Sequence, residues 1–327
     1  MLRPLSLAQH TLFAELLEQG CEDLFDAQFP ENGTFLVRRK TNRAGAIRSY
    51  AYYHGYRPAT DAQDRGTRYS YYIGPADDPA IGEQIARFNR IKAVRAERSS
   101  TVGALIGAGM PRPQANIGRT IEGLARAGYF PSRAVLIGLA AYQTYSGVLG
   151  VRLSKILGAT GDENVLMVHH GGDGPTPGPM ATLGPRSVAA QPTRLLDFLI
   201  AKPVRSIVLH GPGIAVTVPS PERYAVHALI VHGLQGIGTD GQVRTTRDLD
   251  RATELVEALG MVGRDRALVQ VFAEAWEREP TWRVHLSESV SGLPGTVGTT
   301  LKAHATKLSE RSPVPASSRP RIVSHEP

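Results

Sequence analysis

The stretch VLIGLAAYQTYSGVLGV, residues 135–151, constrains the fold of this 327-residue chain more than any other. A short apolar run typical of a buried strand ends at Gly138, and apolar residues at helical spacing follow at once. A glycine at such a junction has two explanations. It either serves a tight turn or lets a ligand such as a phosphate come close to the backbone.

The composition favours a globular protein with an anionic partner. Hydrophobic residues make up 42% of the chain, charged residues 20%, and the net charge is +7. This charge favours nucleic acid or a nucleotide as partner. The single cysteine, Cys21, excludes an intramolecular disulfide framework and favours a reducing compartment. Since no apolar run approaches the ~20 residues of a membrane span, we predict a cytoplasmic protein without membrane contact.

The N-terminal part predicts a helix over residues 5–27 and then a small antiparallel meander. The meander's three strands are GTFLVRRK, IRSYAYYHGY and TRYSYYIGP, which interleave tyrosines with arginines and lysines. Such a pattern is typical of a surface that stacks on the bases of a single-stranded nucleic acid. It is more typical of an ordinary half-buried sheet, because aromatic and β-branched residues are common in strands, and the nucleic-acid interpretation remains the alternative.

A helix–turn–helix outline follows the meander. Residues 81–98 predict a basic helix, and the next thirty residues predict two short helices separated by Pro111 and Pro113, the second over 116–127. This outline is that of a winged helix, which would either read a DNA groove or serve as a packing module.

The remaining sequence predicts an irregular loop and then regular structure. Residues 158–192 are rich in glycine and proline and predict the loop. A helix over 194–201, a hairpin through 205–218, a helix from Pro221 and two further helices follow. The chain after Val297 reads as a disordered tail. The predicted domains are 1–130, 131–297 and 298–327.

Several stretches together resemble one family. The most specific are QTYSGVLGV and PERYAVH, joined by RPLSLAQHTLFAELLEQ, QPTRLLDFLI and TTRDLDRA. They are similar to bacterial nucleotidyltransferase-like proteins of the polymerase-β-type superfamily, some of which resemble toxins of abortive-infection toxin–antitoxin pairs. The resemblance implies a mixed sheet with a nucleotide cleft. Together with the residue patterns, it predicts an α+β fold: an N-terminal meander and winged-helix-like module, then a reduced nucleotidyltransferase-type mixed sheet with C-terminal helices.

The resemblance also implies a site for a nucleoside triphosphate. Gly138 and Leu139 would lie at its phosphates, and a D-x-D pair would hold Mg²⁺. The sequence departs from this pattern, because Leu139 stands where the family has Ser or Thr. The nearest remnant of the D-x-D pair is Asp162 and Asn164. We therefore predict Asp162 as the catalytic residue, and Asp162 with Asn164 as metal ligands.

A later helix supplies the remaining predicted nucleotide contacts. The resemblance implies an ion pair or a brace near the nucleotide from Arg247 and Asp248, whereas Ala228 replaces a lysine of the family. The function predicted is metal-dependent transfer of a nucleotide from a triphosphate to an acceptor, impaired by these losses. The alternative is a nucleic-acid-binding or regulatory protein that uses the fold as an inert scaffold. A degenerate relative that does neither is the third interpretation.

Overall fold

The computed structural model describes residues 2–20, 24–26, 28–41, 45–57, 66–131, 134–154, 165–169, 181–183, 193–234 and 239–311. These residues form an α+β fold in which small antiparallel sheets are surrounded by helices. The predicted fold class is therefore confirmed. No helix within these ranges is both long and apolar enough to cross a lipid bilayer.

The N-terminal part contains the predicted meander. A short strand β1 (Arg3–Pro4) and helix α1 (Leu7–Gln19) lead into strands β2 (Thr34–Thr41), β3 (Ile47–Arg57) and β4 (Thr67–Pro75). The order β2-β3-β4 is antiparallel throughout, with a bulge at Ala51/Tyr52. Helix α1 is shorter than the predicted 5–27 and begins at a capping box formed by Ser6 and Gln9.

The helices after the meander differ from the predicted winged helix. Helix α2 (Pro79–Gly107) is continuous, so the predicted basic helix and the first short helix are one element. Asp78 caps it by accepting the N–H of Ala80. Helix α3 (Ala115–Arg126) corresponds to the second predicted helix and packs against strands further along the chain. The strand that follows α3 joins another sheet rather than forming a wing.

The central part is built around the opening motif. Strand β5 (Ala134–Ile137) runs directly into helix α4 (Gly138–Leu149), and strand β6 (Val151–Arg152) pairs with β1. Strands β7 (Val165–His169) and β8 (Ala181–Leu183) complete an antiparallel sheet of order β5-β7-β8. The prediction of an irregular loop over 158–192 is therefore wrong for these two segments.

The C-terminal part is mainly helical. It begins with helix α5 (Thr193–Ile200) and a hairpin of strands β9 (Val204–Val208) and β10 (Ile214–Val218), which confirms the predicted hairpin. The helices that follow are α6 (Pro221–Leu234), α7 (Thr239–Met261), α8 (Asp265–Arg278), α9 (Pro280–Ser291) and α10 (Gly295–Arg311).

The predicted tail is wrong as far as Arg311, because residues 295–311 form α10. Leu301, Ala305 and Leu308 are buried in the main core. They lie at helical spacing, which glycines, threonines and lysines around them obscure in the sequence.

Two cores connect the parts of the molecule. The main core joins β5 and α4 to the hairpin and to α5–α10. A second core packs α1 and α2 against β9, with Phe13, Leu16, Leu105 and Ile207 at its centre. This second core crosses the boundary predicted at residue 130, so the N-terminal elements and the hairpin bury each other's apolar surface.

Candidate nucleotide site

The β5–α4 junction has the geometry that the sequence motif predicts. All four residues of β5 are buried, and α4 begins at Gly138, whose φ is +71°. A left-handed backbone at this position lets the chain turn from strand to helix without an intervening loop. The N-cap residue is Ile137, whose apolar side chain offers no acceptor to the N–H groups of the first turn. Such groups, together with the helix dipole, favour an anion.

Three tyrosines lie behind this junction. The hydroxyl of Tyr224 on α6 donates a hydrogen bond to the carbonyl oxygen of Gly138 at 3.2 Å. Its ring centroid lies 6.0 Å from that of Tyr142 and 5.4 Å from that of Tyr145, both on α4. The Tyr145 hydroxyl in turn donates to the carbonyl of Pro219 at 2.9 Å, just before α6. The cluster therefore fixes the start of α4 against α6.

Helix α7 presents a charged face to the same cluster. The guanidinium carbon of Arg251 lies 5.9 Å from the ring centroid of Tyr142, and Arg251 pairs with Asp248 at 3.6 Å. The Tyr142 hydroxyl donates to Glu254, and the backbone N–H of Ser154 donates to the other Glu254 oxygen at 2.7 Å. Asp248, Arg251 and Glu254 are spaced by three residues, which places them along one side of the helix.

The tyrosines remain protonated hydrogen-bond donors at neutral pH. Burial is the main cause that raises the pKa of Tyr224 to about 12, while Arg251 lowers it and Asp248 raises it. Burial and then the Glu254 carboxylate raise the pKa of Tyr142 well above its ordinary value. Burial likewise raises the pKa of Tyr145. These phenols can therefore orient groups by donating hydrogen bonds but do not serve as general bases.

The structure brings together some of the predicted nucleotide contacts. Gly138 forms the junction, and Asp248 lies in the charged cluster. Asp248 forms an ion pair with Arg251, one turn further on, and its sequence neighbour Arg247 is half-buried on α7. Leu139 is half-buried, and its apolar side chain packs against the main core.

The predicted metal ligands Asp162 and Asn164 lie outside the described residues. Strand β7 begins at Val165, and its second residue, Leu166, pairs with Ile137. The start of β7 therefore lies at the end of the sheet where α4 begins.

The sequence contains one literal D-x-D, Asp248-Leu249-Asp250, but it lies on a helix. Positions i and i+2 of a helix diverge by about 200°, whereas on a strand they share a face. Accordingly Asp248 is half-buried and Asp250 is exposed. In the described parts of the chain, no three or more His, Cys, Asp or Glu side chains form a group that could hold a metal ion. Asp248 and Asp250 therefore do not share a helix face on which one metal ion could bind both.

Sequence reasoning missed four residues of this site: Tyr142, Tyr224, Arg251 and Glu254. A signal was present, because Tyr224 lies in PERYAVH and Tyr142 directly precedes QTYSGVLGV. Those are the two segments that carry the resemblance. Tyrosine in a helix is ordinarily a core residue, and only the packing of α4, α6 and α7 shows that these hydroxyls converge.

A family model described as Nucleotidyltransferase matches residues 115–172 and 167–277. The match begins at α3, includes the β5–Gly138–α4 junction and the whole of α6 and α7, and ends within α8. No curated protein and no solved structure matches the chain. The converging site and the family match cover the same elements, and the chain therefore carries a nucleotidyltransferase-like domain over residues 115–277.

Proposed function

We propose that this domain binds a nucleoside triphosphate with its phosphates at the N-terminus of α4. The observation that carries the proposal is the β5–Gly138–α4 junction, which lies inside the matched family segment and has Gly138 in the left-handed region. A glycine without a side chain lets phosphate oxygens reach the first-turn N–H groups. Each such N–H would donate a hydrogen bond to a phosphate oxygen.

The surrounding side chains support this placement. Tyr224 holds the Gly138 carbonyl, and the positive charge of Arg251 lies over Tyr142 one turn into the same helix. Asp248 neutralises part of that charge and fixes the guanidinium. A triphosphate at the helix end would then meet the positive end of the helix dipole and a braced arginine.

The reaction of the domain is nucleotidyl transfer. An acceptor oxygen would form a bond to the α-phosphorus, the bond to the bridging oxygen would break, and pyrophosphate would leave with that oxygen. Such transfer depends on positioning and on neutralising charge. The acceptor would give up its proton to solvent or to a base.

We expect this step to be impaired, for two reasons that the structure supports. Leu139 packs against the core where the resembled family has a phosphate-binding hydroxyl. Ala228, at the lysine position of that family, is only 5% exposed and lies within the main core. Neither side chain can neutralise phosphate charge. The contribution of Mg²⁺ through Asp162 and Asn164 stays a prediction.

Thermal melts with each nucleoside triphosphate, with and without Mg²⁺, test the binding proposal. A ligand at about 100 times its dissociation constant adds roughly 2.7 kcal/mol to the free energy of unfolding. We expect Gly138→Ala to abolish the shift, because a Cβ would block the approach of phosphate. Gly128→Ala is the matched control, since Gly128 also has a positive φ, +79°, but lies in the turn after α3.

Two further results would separate binding from transfer. A shift that requires Mg²⁺ and disappears in Asp162→Asn would support the predicted metal contact. Rapid release of pyrophosphate by the wild-type chain would contradict the expected impairment while leaving the binding site intact. The absence of a shift with every triphosphate, from a folded protein, would refute the binding proposal.

A further inference from the structure

The meander presents two different faces. On the inner face, Phe35 and Tyr53 pack with Phe29 and with Phe88 of α2, forming a small aromatic core. Paired residues of an antiparallel sheet share a face. The outer face is therefore defined by the alternate residues of β2–β4 that share the side of Tyr52, which is paired with Leu36 and Tyr72.

Every charged residue of the outer face is cationic. The strand registers place four cations there: Arg38, Lys40, Arg48 and Arg68. The three strands contain no aspartate or glutamate at any position. A sheet face with four cations and no carboxylate is complementary to a polyanion.

Tyrosines occupy the centre of the outer face. Tyr72 has its ring centroid 5.6 Å from that of Tyr52 and 6.0 Å from that of Tyr50, at tilted or edge-on angles. Tyr72 is 56% exposed, and Tyr56, further along β3, is 42% exposed. These rings contribute little to the inner core and leave large aromatic surface in water, which is costly unless a ligand covers it.

Cations and rings are interleaved on this face at short range. The Lys40 ammonium lies 5.3 Å, and the Arg38 guanidinium carbon 5.8 Å, from the ring centroid of Tyr52. One side of Tyr52 is therefore occupied by cations, while the exposed ring of Tyr72 lies next to it. A base stacked on Tyr72 would have its phosphate within reach of these two cations.

We propose that the outer face of the meander binds single-stranded nucleic acid. Unpaired bases stack on Tyr72 and Tyr56, and the four cations contact the phosphates. A double helix is a poorer ligand because its bases are already stacked on each other and do not present a free face. This inference does not rest on the nucleotide site, since it uses only β2–β4.

Fluorescence anisotropy with labelled oligo(U) and oligo(dT) of about twenty nucleotides tests the stacking. We expect Tyr72→Ala to weaken binding about 5- to 150-fold, the range found for loss of one base–aromatic stack. Tyr72→Phe should retain binding. The control is Tyr71→Ala, because Tyr71 is the next residue, is 49% exposed and lies on the opposite face.

Salt dependence tests the phosphate contacts. Replacing both Arg38 and Lys40 with glutamine should reduce the slope of log K against log salt by about 1.4, because each phosphate contact on a single strand contributes about 0.7. Arg39→Gln is the matched control, since Arg39 lies between these residues in sequence and on the other face.

Four outcomes would overturn the proposal. The first two are that the protein does not bind the oligonucleotides at low salt, and that Tyr72→Ala and Tyr71→Ala lose affinity equally. The third is that a duplex binds as tightly as a single strand. The fourth is that the protein binds phosphatidylserine vesicles and that the same variants weaken this binding. Circular dichroism melts of each variant establish that the meander is folded. The triphosphate-induced thermal shift should be unchanged in Tyr72→Ala, so failure here and failure of the nucleotide site are distinguishable.

Discussion

Arg98 on α2 is buried and connects three distant segments. Its Nε donates to the carbonyl of Pro212 at 2.9 Å, one terminal nitrogen donates to Gly213 at 3.1 Å, and the other donates to the Gln19 side chain at 2.9 Å. Pro212 and Gly213 lie in the β9–β10 turn, and Gln19 ends α1. The guanidinium therefore holds α1, α2 and the hairpin together at the edge of the second core.

Replacing Arg98 with methionine keeps an unbranched, mainly apolar side chain, although a shorter one, and removes the donors of these three hydrogen bonds. Hydrogen bonds to a charged group each contribute about 1.5–3 kcal/mol, and a buried acceptor that is left unpaired carries a desolvation cost. The Gln19 side chain is exposed and can bond to water instead, so the full sum is not expected. We predict a loss of roughly 3–5 kcal/mol, a large fraction of the ~5–15 kcal/mol of a typical protein.

Urea unfolding, followed by tyrosine fluorescence and circular dichroism, measures this loss. Arg90→Met is the matched control, because Arg90 is an exposed arginine of the same helix and should change the free energy of unfolding by less than about 0.5 kcal/mol. Arg98→Lys should lie between the two, since one ammonium cannot serve three divergent acceptors. A loss below about 1 kcal/mol in Arg98→Met would refute the role assigned to the guanidinium.

Three further predictions concern packing and pH. Gly147→Ala should cost roughly 1–3 kcal/mol, because a Cβ there would lie 2.2 Å from the Phe13 ring, and urea unfolding measures it. Burial lowers the pKa of His227 to about 4, from the 6.5 of an unfolded chain. The unfolded state thus binds the proton first as the pH is lowered. From pH 6.5 down to pH 4, protonation of this histidine should lower the free energy of unfolding by up to about 1.4 kcal/mol per pH unit, and His227→Gln should remove this contribution. Leu301→Ala should cost about 2–5 kcal/mol in thermal melts because α10 is part of the core.

The two packing predictions each have a control on a helix. Gly82→Ala lies in α2 with open space around the added Cβ and should be neutral or stabilising. Lys307→Ala, exposed on α10, should leave the melting temperature within a few degrees of wild type. If Leu301→Ala behaved like Lys307→Ala, α10 would not be packed as described.

Local signals explain how much of the fold could be predicted. The β5–Gly138–α4 junction, the β9–β10 hairpin and the meander each depend on neighbours in sequence, so pattern and turn residues suffice. Strands β7 and β8 could not be predicted, because their apolar runs are short and flanked by glycine and proline. Strand β7 pairs with β5, about thirty residues earlier in the chain, and β8 pairs with β7.

The candidate site likewise contains a residue that a local sequence signal predicts and residues that only the tertiary packing shows. Gly138 stands out because its backbone requirement is local. Arg251 and Glu254 look like ordinary charges of an amphipathic helix, and their role appears only when α7 packs beside α4. Sequence spacing contains no information about that contact, since more than a hundred residues separate Tyr142 from Glu254.

The pairing of β1 with β6 has a consequence for how the chain is made. Leu5 donates its N–H to the carbonyl of Gly150 at 2.8 Å, and Phe13 packs against Gly147 on α4. Leu5 and Phe13 also share the second core with Ile207. During synthesis on the ribosome, the apolar surface of these early residues stays uncovered until some two hundred more residues, including Ile207, have been added. A truncated chain ending near residue 130 would leave that surface in water and should aggregate or recruit chaperones, even if its own helices form.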